Sequence, residues 1–266
     1  MNGYAEFLLV DWLAQLELHW RLALFASAGV VAGLLLDVIV RRVPAAVEQA
    51  WLAEMQAVGD ADTFPSEARA HASAASMATT MAAAVAHAPP ARRWQLSILS
   101  AALSVAVSWR FGPTWQSLGA LGLVWTLIAL AYIDYDTQLL PDILTLPLLW
   151  AGLLVNLGHW FSALPAAVIG AAVGYMSLWA LYWVYWWVRR REGMGFGDFK
   201  LYAALGAWFG WTALVQILLL ACLLAIVVAG TAWLAGRLRS DQMFPFGAFL
   251  ATAGVATLFW GNGLTI

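Results

Sequence analysis

Residues 116–133 and 164–188 contain no Asp, Glu, Lys or Arg, and runs of this kind leave a chain few ways to fold. A helix needs about 20 apolar residues to cross roughly 30 Å of hydrocarbon. Comparable stretches lie at 94–109, 143–161 and 246–260, and 21–40 carries only Arg21 and Asp37. Residues 199–235 form another, too long for one crossing and slightly short for two at about 1.5 Å per residue; a turn at Gly210 divides it. Inside a bilayer every backbone polar group must be paired within the protein, so only helices or a closed barrel can span it. The short alternation of barrel strands is missing, which leaves helices. The sequence therefore predicts an all-α, polytopic membrane protein with about eight transmembrane helices.

The composition asks for the same solvent. Charged residues make up 11% of the chain and hydrophobic residues 63%, whereas a soluble domain carries about a quarter charged residues. A net charge of -2 gives no footprint for nucleic acid. The single cysteine, Cys222, lies in an apolar run, and His19, His71, His87 and His159 are scattered, so no metal site is expected. The first twenty residues hold Glu6, Asp11 and Glu17 among Phe7, Leu8, Trp12, Leu13 and Leu16. They read as an amphipathic helix on the membrane surface rather than a signal peptide.

Three regions follow. Residues 1–44 comprise the surface segment and first span, which is stopped by Arg41, Arg42 and Pro44. Residues 45–93 form the only long polar stretch, part helical and rich in Ala, Ser and Thr, and read as a soluble loop. Residues 94–266 hold the remaining spans. If the N-terminus is periplasmic, one face receives Arg41, Arg42, Arg69, Arg92, Arg93, Arg189, Arg190, Arg191, Lys200, Arg237 and Arg239. The other receives Arg21 and Arg110. That bias places the large loop in the cytoplasm.

Beyond the loop the acidic residues are Asp134, Asp136, Asp142, Glu192, Asp198 and Asp241. Asp134 closes the third span and Asp198 opens the sixth, so parity returns both to one membrane face. Paired carboxyls hydrolyse amides without metal or nucleophile: one activates water while the other protonates the carbonyl oxygen. Gly193, Gly195 and Gly197 alternate just before Asp198. Without side chains they let another backbone approach, as an extended peptide substrate requires. The neighbouring acids have plainer readings. Asp142, after Pro141, reads as a helix N-cap, and Asp198 reads equally well as one. Asp136 reads as a solvated interfacial charge. Asp37 and Arg41 form an i,i+4 pair. From the residues alone, a proton-coupled transporter using the same aspartates is the competing class.

Two segments carry a resemblance. Ile133-Asp-Tyr-Asp-Thr-Gln-Leu-Leu-Pro-Asp142 and Gly193-Met-Gly-Phe-Gly-Asp-Phe-Lys200 resemble the two aspartate motifs of the type IV prepilin leader peptidase and N-methyltransferase family, the second being its GxGD motif. The similarity extends through Gly33-Leu-Leu-Leu-Asp-Val-Ile-Val-Arg-Arg-Val-Pro44, Leu146-Pro-Leu-Leu-Trp-Ala-Gly-Leu-Leu154, Leu205-Gly-Ala-Trp208 and Pro245-Phe-Gly247. The resemblance implies an aspartic protease of the bacterial inner membrane with Asp134 and Asp198 catalytic. Its substrates would be pilin or pseudopilin precursors with a short basic leader, cut at the cytoplasmic face after a glycine. It also implies methylation of the new N-terminal amine from S-adenosylmethionine. Many members carry two CxxC pairs in the first loop and a glutamate near the start of the second span. This chain has no cysteine in 45–93 and has Ser97 at the second place.

Overall fold

Residues 13, 16–59, 90–190, 194–236 and 245–261 are described by the computed structural model. Among them are eight α-helices: α1 (Leu18–Gly59), α2 (Pro90–Phe111), α3 (Trp115–Thr137), α4 (Asp142–Val155), α5 (Leu164–Arg189), α6 (Phe196–Phe209), α7 (Trp211–Leu234) and α8 (Phe246–Trp260). Four helical stretches are long and apolar enough to cross a membrane, namely Leu18–Val47, Trp115–Thr137, Leu164–Arg189 and Trp211–Leu234. Their outward faces are as apolar as their inward ones. Val173 and Met176 on α5 and Leu219, Leu223 and Ile226 on α7 are all exposed. An apolar belt of this extent needs lipid against it.

At the centre lies α6. From Asp198 to Phe209 every residue except Lys200 is buried, and a helix that is apolar on all sides belongs inside the bundle. It is wrapped by α4, α5, α7 and α8. Its closest neighbour is α5, where Gly170 and Gly206 meet backbone to backbone. A methyl group at Gly206 would overlap the Gly170 carbonyl, and one at Gly170 would lie 2.8 Å from the Trp211 nitrogen. A methyl group at Gly174, one turn on, would lie 2.9 Å from the Tyr202 carbonyl oxygen. Small residues four apart are how helices pack closely where lipid offers no hydrophobic drive. The same device joins α1 to α2, with Gly29 against Ala101 and Gly33 against Ser97. That pair leans on α3.

Asn156 holds the far end of α6. Its Nδ2 donates to the Ala207 and Trp208 carbonyls at 2.8 and 2.9 Å, which the helix end leaves without intrahelical partners. Its Oδ1 accepts from the Phe161 and Ser162 amides. The Trp208 indole donates to the Leu148 carbonyl at 2.8 Å and lies flush against Gly152. Gly210, at φ +78°, turns the chain directly from α6 into α7, the division anticipated within 199–235.

Two boundaries differ from expectation. The first helix runs through Arg41, Arg42 and Pro44 to Gly59 instead of stopping there. The stretch 143–161 is helical to Val155, then a single 3-10 turn, Asn156–Gly158; the chain leaves the helix where Asn156 turns to the carbonyls of α6. The surface helix anticipated at the N-terminus lies almost wholly outside the described residues, as do 60–89 of the large loop.

Candidate active site

Asp134 stands in the last turn of α3, buried. Gln138, in the left-handed conformation at φ 55°, ends that helix by returning its N–H to the Asp134 carbonyl at 2.9 Å. Leu139, Leu140 and Pro141 then lead into α4, with Pro141 as its N-cap residue. Asp198 is the third residue of α6, also buried. Its carboxyl lies within reach of the backbone N–H of Gly195, while its own N–H donates to the Gly195 carbonyl at 3.2 Å. The third residue thus reaches back to the N-cap residue as in half of a capping box, Gly195 having no side chain to complete it. Asp198 therefore supports the helix start from inside, and the N-cap place is held by Gly195.

A third helix completes the arrangement. Pro245, at the N-cap of α8, supplies no side-chain cap, so the first amides of that helix lack an acceptor of their own. Asp134 provides one from 114 residues away: the Ala248 N–H donates to Asp134 Oδ2 at 2.8 Å, and the Gly247 amide also reaches the carboxyl. The N-terminal ends of α6 and α8 thus both point at carboxyl groups, the end of a helix that favours negative charge. Asp134 and Asp198 are close enough for the charge of one to act on the other. Parity had placed them on one face; packing brings them together.

Leu140 separates the two helix starts. A methyl group at Gly197 would lie 2.6 Å from Leu140 Cβ, and one at Gly247 would lie 2.7 Å from Leu140 Cδ1. Gly195 is different, since the nearest atom to a methyl group there is Asp198 Oδ2 at 3.9 Å. The backbone beside Asp198 is therefore open. Gly193 lies outside the described residues.

Among the described residues, the other acids at this end are paired with cations. Asp37 accepts from Arg41 Nε at 3.0 Å, the expected i,i+4 pair. Asp136 pairs with Arg92, whose guanidinium also lies 5.3 Å from the centre of the Tyr132 ring. Asp136 is exposed, as a solvated charge would be, and it is ion-paired rather than free. Asp142 is bonded by Lys200 at 2.6 and 2.7 Å, and Pro141 holds the N-cap place anticipated for it. Among the described residues, Asp134 and Asp198 are the two aspartates without a basic partner. No three His, Cys, Asp or Glu side chains gather among the described residues. Sequence reasoning missed Leu140, Gly247 and Ala248 as parts of this site. The signal was a glycine two residues past Pro245, at the start of an apolar helix.

Comparison with known proteins gives one consistent answer. Residues 121–230 match the type IV leader peptidase family. The chain is 40% identical over 273 residues to the prepilin leader peptidase/N-methyltransferase of Burkholderia pseudomallei strain 1026b, covering 94% of this chain and 88% of that protein. It is 50% identical over 179 residues to the protein of the same name from Aeromonas hydrophila, covering 67% and 62%. Against that of Pseudomonas aeruginosa PAO1 it is 35% identical over 284 residues, covering 97% and 96%. No solved structure matches. Nothing in these matches supports the transporter alternative. Extensive identity across nearly whole chains, meeting the two uncompensated aspartates, establishes that this chain belongs to the type IV leader peptidase family.

Proposed function

We propose that this protein cleaves the leader peptide of type IV prepilins or type II secretion pseudopilins at the cytoplasmic face of the bacterial inner membrane, and methylates the new N-terminus. The observation that carries the reading is the pair of buried aspartates without a basic partner. Asp134 and Asp198 act as a catalytic dyad that holds one proton between them. The ionised carboxyl takes a proton from water, and the protonated one gives its proton to the scissile carbonyl oxygen. Gly193, Gly195 and Gly197 accommodate the extended substrate, and the open backbone at Gly195 supports this. The helices cross the membrane about eight times, with 45–93 on the cytoplasmic side. Arg92, Arg93, Arg189, Arg190 and Lys200 fall at the helix ends nearest the aspartates, Arg41 and Arg42 lie within α1 just past Val40, and Arg21 and Arg110 fall at the opposite ends, which supports that orientation.

The methyl donor, S-adenosylmethionine, carries a carboxylate, an ammonium group and a ribose diol. The groups where α1 and α2 meet α3 fit these. Arg92 Nε is buried without a hydrogen-bond partner among the described residues and suits the carboxylate. The end of the first span, Asp37 to Arg42, would form the adjoining wall. When bound, the donor supplies a methyl group activated by its sulfonium. Purified protein with a synthetic precursor, with and without S-adenosylmethionine, tests both activities. Cleavage independent of the donor, followed by a mass gain of one methyl group when it is present, is the expected result. A mature product that stays unmethylated while cleavage is complete leaves a peptidase only.

A further inference from the structure

We infer that the first turn of α8 is the device that orients Asp134, with Gly247 as a positioning residue for the dyad. The inference rests on the reading of Asp134 and Asp198 as catalytic. It assigns work to a segment that bears no carboxyl.

The carboxyl of Asp134 leaves the end of α3 on a side chain with two free rotations. A dyad works only when both carboxyls are held in a productive geometry, because a displacement of about 1 Å can cost about 100-fold in rate. What holds Asp134 comes from α8. The Ala248 N–H fixes Oδ2 at 2.8 Å. Gly247, by lacking a side chain, lets the helix start come flush against the carboxyl. A methyl group there would lie 3.0 Å from both Cγ and Oδ2 of Asp134, and 2.7 Å from Leu140 Cδ1.

Those two contacts are not equivalent. Leu140 Cδ1 is the far end of a flexible side chain and moves aside at small cost. The carboxyl moves aside only by drawing away from the Ala248 amide. An added methyl group therefore disturbs the geometry of the dyad more than it disturbs the packing of α8. A substitution that acts through Asp134 slows turnover and leaves substrate binding alone, so the two effects separate in the kinetics.

The test uses the full-length protein in detergent or reconstituted bilayers, with a synthetic precursor. Gly247→Ala lowers kcat at least about tenfold and keeps KM within about twofold. Adding Leu140→Ala to Gly247→Ala removes the Leu140 contact and leaves the Asp134 contact, so the double variant stays as slow. Full recovery of kcat in the double variant reduces Gly247 to a packing residue and overturns the inference. Ala248→Pro removes the N–H that Asp134 accepts, in a first turn where no intrahelical bond uses it. It lowers kcat by a similar factor, and it decides the matter if Gly247→Ala does not accumulate as folded protein. Asp134→Asn and Asp198→Asn are assayed in parallel. If both cleave normally, the reading of the dyad fails. If both are inactive while Gly247→Ala and Ala248→Pro turn over at the wild-type rate, only the positioning role fails.

Discussion

The Lys200 ammonium lies 2.6 Å from Asp142 Oδ1 and 2.7 Å from Oδ2, tying the first turn of α6 to the first turn of α4. Lys200 is two residues from Asp198, yet its ion pair is with the carboxylate of another helix. Asp142 is more than half exposed, and exposed pairs contribute about 0–1 kcal/mol. Lys200→Ala and Asp142→Ala should each lower cleavage by less than about tenfold, and the double variant should be no worse than either. A single variant as inactive as Asp198→Asn would give one of these residues a direct part in the chemistry.

The dyad variants have the plainest expectation. Asp134→Asn and Asp198→Asn should each reduce cleavage by at least about 100-fold, since neither amide can pass the proton on. Asp136→Asn should be milder, because Asp136 is bonded to Arg92 and not to the dyad. Cleavage of a precursor, normalised to folded protein in the membrane, measures this.

Asn156 should matter for stability and little for chemistry. Asn156→Leu leaves the carbonyls of Ala207 and Trp208 and the amides of Phe161 and Ser162 without their partner. At about 1–3 kcal/mol for each buried polar group left unpaired, a loss of about 3 kcal/mol or more is expected. Thermal unfolding in detergent should show a lower midpoint, with kcat per folded molecule unchanged.

Chelators should leave cleavage unaffected. The sequence offers one cysteine and four scattered histidines, and Cys222 lies unpaired in α7. Elemental analysis of purified protein gives an independent check, and one bound zinc per chain would overturn the expectation.

What the sequence revealed was local or topological. The Gly210 turn followed from a run too long for one span, and the Asp37–Arg41 pair followed from helical spacing. The shared location of Asp134 and Asp198 followed from counting crossings between them. What it concealed depends on partners far away in the chain. Asp142 looked like a cap because its neighbours suited one; its bond is to Lys200, 58 residues on. Asp134 looked like a helix-terminal acid, and its role as acceptor for α8 depends on a contact spanning 114 residues. No propensity or period encodes such contacts, because they arise only when the helices pack. The extension of α1 past Pro44 was hidden for a different reason. A proline forfeits one hydrogen bond inside a helix, and read locally that looks like a stop.

The contact between Gly170 and Gly206 bears on how variants of this enzyme are to be interpreted. A missense change at either codon brings in a side chain where a backbone already sits, at the far half of α6 from the aspartates. Such an allele would score as null in a genetic screen for pilus assembly or secretion, indistinguishable from one lacking an aspartate. A map of inactivating alleles would therefore mark the interior seam between α5 and α6 as strongly as the dyad. Immunoblots of membrane fractions would tell the two kinds of null apart, since only the aspartate alleles should leave a full complement of protein behind.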